Sequence, residues 1–359
     1  LPGDHELYSK VSAEVHEVFH SVTPLVEPIA LDEAFLDVSG SLRLFGDGVT
    51  IGHHVRDRIW ETLELRCSVG VAPNKFLAKL ASKAAKPIAS AGGVRDGAGV
   101  LEILPGHELE FLHPLPVKAL WGVGPATLQK LESLGVHTVS DLAQIDEATL
   151  MVALGKAHGR HLHQLSWAID DRPVEVDRML KSIGHEETFV RDLHSSEELH
   201  RELVRLSDGV ATRLRKHGVG GRTLTLKVRF AGFDTVTRSI TLPSPVQTAH
   251  AIQEAVEPLL AAIDASVGVR LLGVSASNFG APAEQLSLDQ LLSGDDEAPE
   301  QPTSVDWEAT EAALDQIRAR FGAKAIGPAS AVGERGLRVV RPGAQQWGPD
   351  QVPPSTARD

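Results

Sequence analysis

Asp32 and Glu33 stand side by side in VEPIALDEAFLDV, residues 26–38, between two apolar runs. Carboxylates held close to hydrophobic side chains call for a compensating positive charge, and a divalent cation that prefers oxygen ligands provides one. Taken alone, the pair reads as a solvated turn, because acidic residues are common where strands reverse; the flanking apolar runs are what point to a cation. Asp37 is either a support for the same hairpin or a surface carboxylate. A second group lies in SVGVAPNKFLAKLASKAAKP, residues 68–87. There Lys75, Lys79, Lys83 and Lys86 step by four, four and three and so cluster on one side of a helix. Lysines act as point charges toward phosphate oxygens, and a cation that bridges those oxygens suits the neighbouring carboxylates. The alternative is a solvated basic face. Two further features concern nucleic acid. Gly122-Val123-Gly124 is a tight turn before Pro125, and backbone N–H groups at such a helix start bind a phosphate without reading sequence; a plain helical turn is the other reading. Arg222, Lys227, Arg229 and Arg238 lie on expected strands, with Lys227 and Arg229 on one face by two-residue alternation. A solvated sheet face remains open for these.

The elements that must position these residues fall into segments. Leu7, Val11, Val15, Val18 and Val22 recur at helical spacing, and Val26–Val38 reads as a strand hairpin with the acidic pair near its turn. Ile51, Val55, Ile59 and Leu63 mark another helix, Cys67–Val71 a short buried strand, and Asn74 caps a helix whose apolar face is Phe76, Leu77, Leu80 and Ala84. Residues 94–168 read as helical, with LGKAHGRHL at 154–162 resembling a second glycine turn. Residues 170–177 read as a connecting linker. Beyond them comes the order strand 182–190, helix 196–216, strands 222–231 and 234–242, helix 248–263 and strand 269–277, a β-α-β-β-α-β domain. After 280 the chain turns rich in Pro, Gly and acid. A helical pattern returns at 306–321, and the last twenty residues are expected to be disordered.

The 359 residues allow two or three domains, and 42% hydrophobic with 23% charged residues is the composition of a soluble globular protein. The single cysteine, Cys67, excludes a disulfide framework and a Cys-rich zinc site and fits a reducing cytoplasm. No apolar run approaches the roughly 18 residues that span a membrane, and no secretory signal is present. The net charge of −13 opposes a nucleic-acid partner only in total. From residue 281 onward there are 13 acidic and 7 basic residues, whereas Arg205–Arg229 holds seven Lys or Arg and one Asp. Local charge decides what meets a phosphate.

LDEAFLDV, Lys86 in KAAKP 54 residues after Asp32, the GVG turn, KSIGHEETF at 181–189 and QLSLD at 285–289 occur in the order found in Y-family DNA polymerases of the DNA polymerase IV type, which this chain resembles over residues 1–278. The resemblance implies an α+β, multidomain fold: a partial palm (1–93), a helical thumb with a helix-hairpin-helix (94–168), a linker (169–178), a β-α-β-β-α-β little finger (179–278) and a flexible tail (279–359). It implies translesion DNA synthesis, an error-prone mutator activity in DNA repair, by two-metal nucleotidyl transfer. Asp32 would be a ligand of two Mg²⁺ ions, Glu33 would assist metal binding and activation of the primer 3′-hydroxyl, and Lys86 would contact the triphosphate. Gly122, Gly124, Lys181, Arg222, Lys227, Arg229 and Arg238 would meet DNA. Gln285, Leu286 and Leu288 would dock the replication sliding clamp, although Asp289 stands where the family's peptide ends in a large apolar residue.

The implied partners are primer-template DNA and deoxynucleoside triphosphates, with no membrane, for a monomer in the cytoplasm. The sequence departs from the family at its start. Leu1-Pro2 matches a point inside the palm, and no acidic-aromatic first strand or finger domain is found, so the expectation is an N-terminally truncated chain that is inactive or nearly so. The alternative reading is a non-catalytic protein that binds damaged or duplex DNA and derives from such a polymerase.

Overall fold

The computed structural model describes residues 4–177, 180–280, 306–333 and 336–339. They fall in two compact units, Glu6–Arg178 and a second drawn from Leu1–His5 and Met179–Asp359. Among the described residues no helix is long and apolar enough to cross a membrane.

In the N-terminal unit, α1 (His5–Val22) is followed by the antiparallel strands β1 (Val26–Ala30) and β2 (Glu33–Leu36), paired from Val26↔Leu36 to Ala30↔Glu33 with a bulge after Pro28. A short α2 (Leu42–Phe45) leads into α3 (Gly48–Leu63). The helical spacing of Val18 and Val22 on α1 and of Ile51, Val55 and Ile59 on α3 buries all five in one core, with Phe45 and Cys67 against it. β3 (Val69–Val71) precedes α4 (Lys75–Ala84), and the hairpin β4 (Ile88–Ser90) and β5 (Gly93–Arg95) follows. β6 (Val100–Glu102) then returns to pair in parallel with β3.

α5 (Glu108–Leu112), α6 (Pro125–Ser133), α7 (Val139–Ala143), α8 (Glu147–Leu154) and α9 (Lys156–Ser166) complete the unit. Phe76, Leu77 and Leu80 of α4 share a single core with Leu112, Leu131, Leu142, Leu150 and Leu162 of these helices. The expected break between residues 93 and 94 therefore needs correction. It falls inside β5, and the supposed all-helical segment opens with β5 and β6, which pair backward to β4 and β3.

The expected linker is also partly fixed. The Asp170 carboxylate is almost fully buried and receives Arg172 Nε at 2.6 Å and Nη2 at 2.9 Å. Burial pushes that carboxyl up, but the bonds and charge of Arg172 outweigh it and hold it below its ordinary value. Glu175 N donates to Glu27 on β1 at 2.9 Å.

The second unit follows the expected order closely: β7 (Ser182–Leu193), α10 (Ser196–Lys216), β8 (Gly220–Phe230), β9 (Thr235–Val246), α11 (Ala249–Ala261) and β10 (Val269–Gly280). The sheet order is β7-β10-β8-β9, antiparallel throughout. Leu224, Leu226 and Val228 of β8 are buried with Leu203, Leu206 and Val210 of α10 and Ile252 and Val256 of α11. Both helices therefore lie on one side of the sheet, and the alternate residues face the other way.

Within the tail expected from residue 279, the helical pattern expected at 306–321 is present as a helix. Helix α12 (Trp307–Phe321) is anchored to the helices of the second unit. Arg215 of α10 pairs with Asp315 at 2.7 Å and with Glu311. Glu311 also accepts from Ala249 N at 2.7 Å, at the start of α11, and Arg318 reaches Asp208 at 3.0 Å. Trp307 stacks on His250, with ring centroids 4.5 Å apart. Farther on, β11 (Val332–Gly333) and β12 (Gly336–Leu337) pair. Arg338 then reaches Glu202 and Glu187, which also flank the buried Arg205. Burial, aided by the Arg338 charge, lowers the Arg205 guanidinium to about 10. The partners of α12 on α10, Arg215 and Asp208, lie about a hundred residues upstream in the chain, so local composition held no trace of the docking.

Candidate active site and nucleic-acid face

Asp32 is exposed at the turn between β1 and β2, and Glu33 is the half-buried first residue of β2. Beneath them Phe35 is buried. Asp37 is committed locally: its Oδ1 accepts from Ser39 N at 2.9 Å and its carbonyl accepts the Thr23 hydroxyl at 2.7 Å.

α4 lies directly against β3 because Gly70 has no side chain. A Cβ there would come within 1.9 Å of the Ala78 carbonyl oxygen, so β3 and α4 pack backbone to backbone. Asn74 caps the helix by accepting from Leu77 N at 3.0 Å, and its amide donates to Ala168 O at 2.9 Å. From this seat α4 sends two lysines to the hairpin acids. Lys75 Nζ meets Glu27 Oε2 at 2.6 Å with both side chains nearly buried (9% and 8% exposed), whereas Lys79 Nζ meets Glu33 Oε2 at 2.9 Å at a partly open position (33% and 41%). Lys83 and Lys86 are exposed and make no ion pair among the described residues. The four-lysine cluster thus divides into two residues bound to carboxylates and two open to solvent.

A ring that sequence reasoning passed over sits beside these groups. Trp121 is 39% exposed. Its ring lies edge-on to Phe35 at 6.2 Å, with Lys79 Nζ 5.1 Å and the Arg172 guanidinium 5.4 Å from its centroid. A lone Trp before a glycine turn carries no periodic signal, so only the fold shows what it joins. Gly122 follows with φ +91°, a conformation that favours glycine, and Gly124 is the N-cap of α6 with Pro125 at the first turn. Among the described residues no side chain caps this helix, and the N–H groups of a first helical turn lack partners within the helix.

In the second unit, the sheet face away from α10 and α11 carries Thr223, Thr225, Lys227 and Arg229 on β8, opposite Thr241, Ser239, Thr237 and Thr235 on β9 and Ser277, Ser275, Gly273 and Leu271 on β10. Thr223 and Thr241 hydroxyls lie 3.1 Å apart, and those of Thr225 and Ser239 2.8 Å. Lys227 pairs with Glu186 at 2.6 Å, and Arg229 Nε donates to Thr235 Oγ1 at 2.9 Å. The alternation TLTLKVR and TVTRSIT held this hydroxyl face in plain view, but hydroxyls are a weaker signal in a sequence than charges. Arg222 and Arg238 are out of phase with it. Arg222 is half-buried with Nε on Leu242 O at 3.3 Å, and Arg238 sits opposite Leu226, exposed on the edge strand. Lys181 is exposed just before β7. Gln285, Leu286, Leu288 and Asp289 lie outside the described residues.

Three family descriptions match the chain: the impB/mucB/samB family over residues 1–83, the IMS family HHH motif over 105–136 and the impB/mucB/samB family C-terminal domain over 180–290. DNA polymerase IV of Desulfatibacillum aliphaticivorans is 40% identical over 333 residues, covering 92% of this chain and 80% of that protein. DNA polymerase IV 2 of Mesorhizobium japonicum is 37% identical, covering 90% and 77%. Among solved structures, a Y-family DNA polymerase chimera superposes with a TM-score of 0.66 at 22% identity over 77% of this chain and 78% of that one, which is a likeness of fold.

Proposed function

The chain belongs to the impB/mucB/samB family, the Y-family DNA polymerases of the DNA polymerase IV type, and on that premise we propose that the β1–β2 hairpin and α4 form its catalytic and triphosphate-binding centre. The activity is template-directed DNA synthesis of the translesion kind. The observation that carries the site assignment is the 2.9 Å contact of Lys79 with Glu33, which joins the acidic turn to the lysine helix across 46 residues of sequence.

The donor set fits part of a divalent-metal site. Asp32 and Glu33 offer hard oxygens, and Glu33 already has an ammonium against it. Among the described residues no group of three His, Cys, Asp or Glu could hold a metal. Magnesium is commonly held by one or two carboxylates together with the substrate's phosphates. When bound, two Mg²⁺ ions would strengthen the primer 3′-hydroxyl as a nucleophile and offset charge in the in-line displacement.

The protein groups divide the remaining work. Asp32, exposed at the turn, would hold the ions through its carboxylate, and Glu33 would support it from the strand. Lys75, through Glu27, holds the hairpin on α4. Lys86 binds the triphosphate of the deoxynucleotide. The N–H groups beside Gly122 and Gly124 receive a DNA phosphate. The open sheet face, with Lys227, Arg229 and its hydroxyls, lies on the sugar-phosphate backbone, where short hydroxyl side chains hydrogen-bond without reading bases.

Two outcomes test this reading. In steady-state primer extension by the full-length polymerase, Lys86→Ala should raise KM for the nucleotide about tenfold with kcat little changed, as expected for loss of one charge on a phosphate. A fall in kcat alone would remove Lys86 from the triphosphate. For duplex binding measured against salt, Lys227→Gln with Arg229→Gln should flatten the log–log slope by about 1.8, roughly 0.9 for each phosphate that is no longer neutralised. An unchanged slope would move DNA off this face.

A further inference from the structure

We propose that Phe233, in the turn between β8 and β9, is a stacking platform for an unpaired nucleobase of a DNA strand that continues past the end of the sheet. The inference rests on the sheet-face reading above and deepens it.

The turn runs against its own sequence. Phe233 N donates to Phe230 O at 2.9 Å and Phe230 N to Asp234 O at 2.9 Å, which closes the loop Ala231-Gly232-Phe233. Hairpin loops of this length end on a residue in the left-handed region, where glycine fits without steric cost. Here the glycine stands one residue too early. Phe233 takes the left-handed position with φ +69°, and Gly232 does not adopt it. A bulky residue in that region is a genuine outlier, and such outliers gather where proteins clamp ligands.

The surroundings of the ring point to the ligand. Phe233 is 66% exposed, so burial does not offset the strain. A cation holds the ring instead. The Arg270 guanidinium lies 4.5 Å from its centroid, and Asp192 fixes that guanidinium through hydrogen bonds of 3.0 Å and 3.1 Å. An exposed aromatic ring backed by a fixed guanidinium is suited to stack a base, a contact that any base can make because each has a π-face. The neighbouring strand surface favours nucleic acid over an apolar protein partner. Phe233 is two residues before Thr235, whose hydroxyl receives Arg229 Nε at 2.9 Å, and the face that continues from there carries Lys227 and hydroxyls. Within a duplex each base is already stacked between its neighbours. The ring therefore meets a base only where a strand is unpaired, as in the single-stranded part of a primer-template.

The test is equilibrium binding of the full-length polymerase, at fixed salt, to a blunt duplex and to the same duplex extended by a single-stranded 5′ overhang. Phe233→Gly should lose about fivefold in affinity for the overhang DNA, the lower end of what one base stack contributes. Its affinity for the blunt duplex should stay at the wild-type level, which also reports that the sheet remains folded; glycine accepts the φ of this position. Phe233→Trp should keep the overhang affinity. A Phe233→Gly protein that retains its overhang affinity, or loses affinity for both DNAs alike, overturns the inference. Lys227→Gln with Arg229→Gln should weaken binding to both DNAs. If that double variant weakens both while Phe233→Gly changes neither, the inference alone fails. If the double variant weakens neither, the sheet-face reading fails and this one with it.

Discussion

Lys75→Ala should destabilise the N-terminal unit by about 3 kcal/mol, the lower end of the cost of stranding a buried charge. The substitution removes the ammonium 2.6 Å from Glu27 and leaves a carboxylate that is only 8% exposed. The Glu175 N–H still serves that carboxylate, which is why the upper end is not expected. Native-state hydrogen exchange of the α4 amides reads the effect locally. Replacing both partners, Glu27→Gln with Lys75→Met, should recover most of the loss, because no unpaired charge then remains. If the single and double variants lose equally, packing of the lysine stem rather than charge holds the hairpin to the helix. The pair matters for function because it sets where β1 meets α4, and so where Glu33 meets Lys79.

Much of the second unit was legible from period alone. The helix expected at 196–216 is Ser196–Lys216, and the strand expected at 222–231 is Gly220–Phe230. Each buries one side only, so its apolar residues repeat at the spacing of its own geometry. The same held for the acidic hairpin and for α4, where Asn74 caps as expected. β6 was missed because three residues of half-buried strand show no period. Glu27 was missed because its partner is 48 residues away, and Trp121 because its neighbours come from β2, α4 and the segment after α9. The docking of α12 was hidden for the same reason. Its basic partners lie on α10, while the stretch before it read only as acidic. Local pattern reveals the elements. The long-range pairs that set one element against another are found only when the chain is folded.

The site residues divide along the same line. Asp32, Glu33 and Lys86 were candidates from type and order. The sorting of the four lysines into bound and open was not, since helical spacing alone placed all four together. On the sheet, Lys227 and Arg229 share the open face by alternation, whereas Arg222 and Arg238 carry the same charge and face elsewhere.

The central claim is that Asp32 serves chemistry rather than architecture. Its side chain is exposed at the apex of the turn, and the fold around it is held by Glu27, Phe35 and Asp37. Asp32→Ala should therefore fold normally. Losing a carboxylate that positions the ions should cost several kcal/mol of transition-state stabilisation, about a thousandfold in the rate of incorporation. The DNA contacts proposed for the open sheet face and the Gly122 turn do not involve this residue. The most direct measurement determines both quantities on the same sample of the full-length polymerase: the single-turnover rate of template-directed nucleotide incorporation and the affinity for primer-template DNA, for wild type and Asp32→Ala. The account predicts a rate reduced about a thousandfold with DNA affinity within about twofold. An incorporation rate that survives the substitution, or a rate and an affinity that fall together, would contradict it.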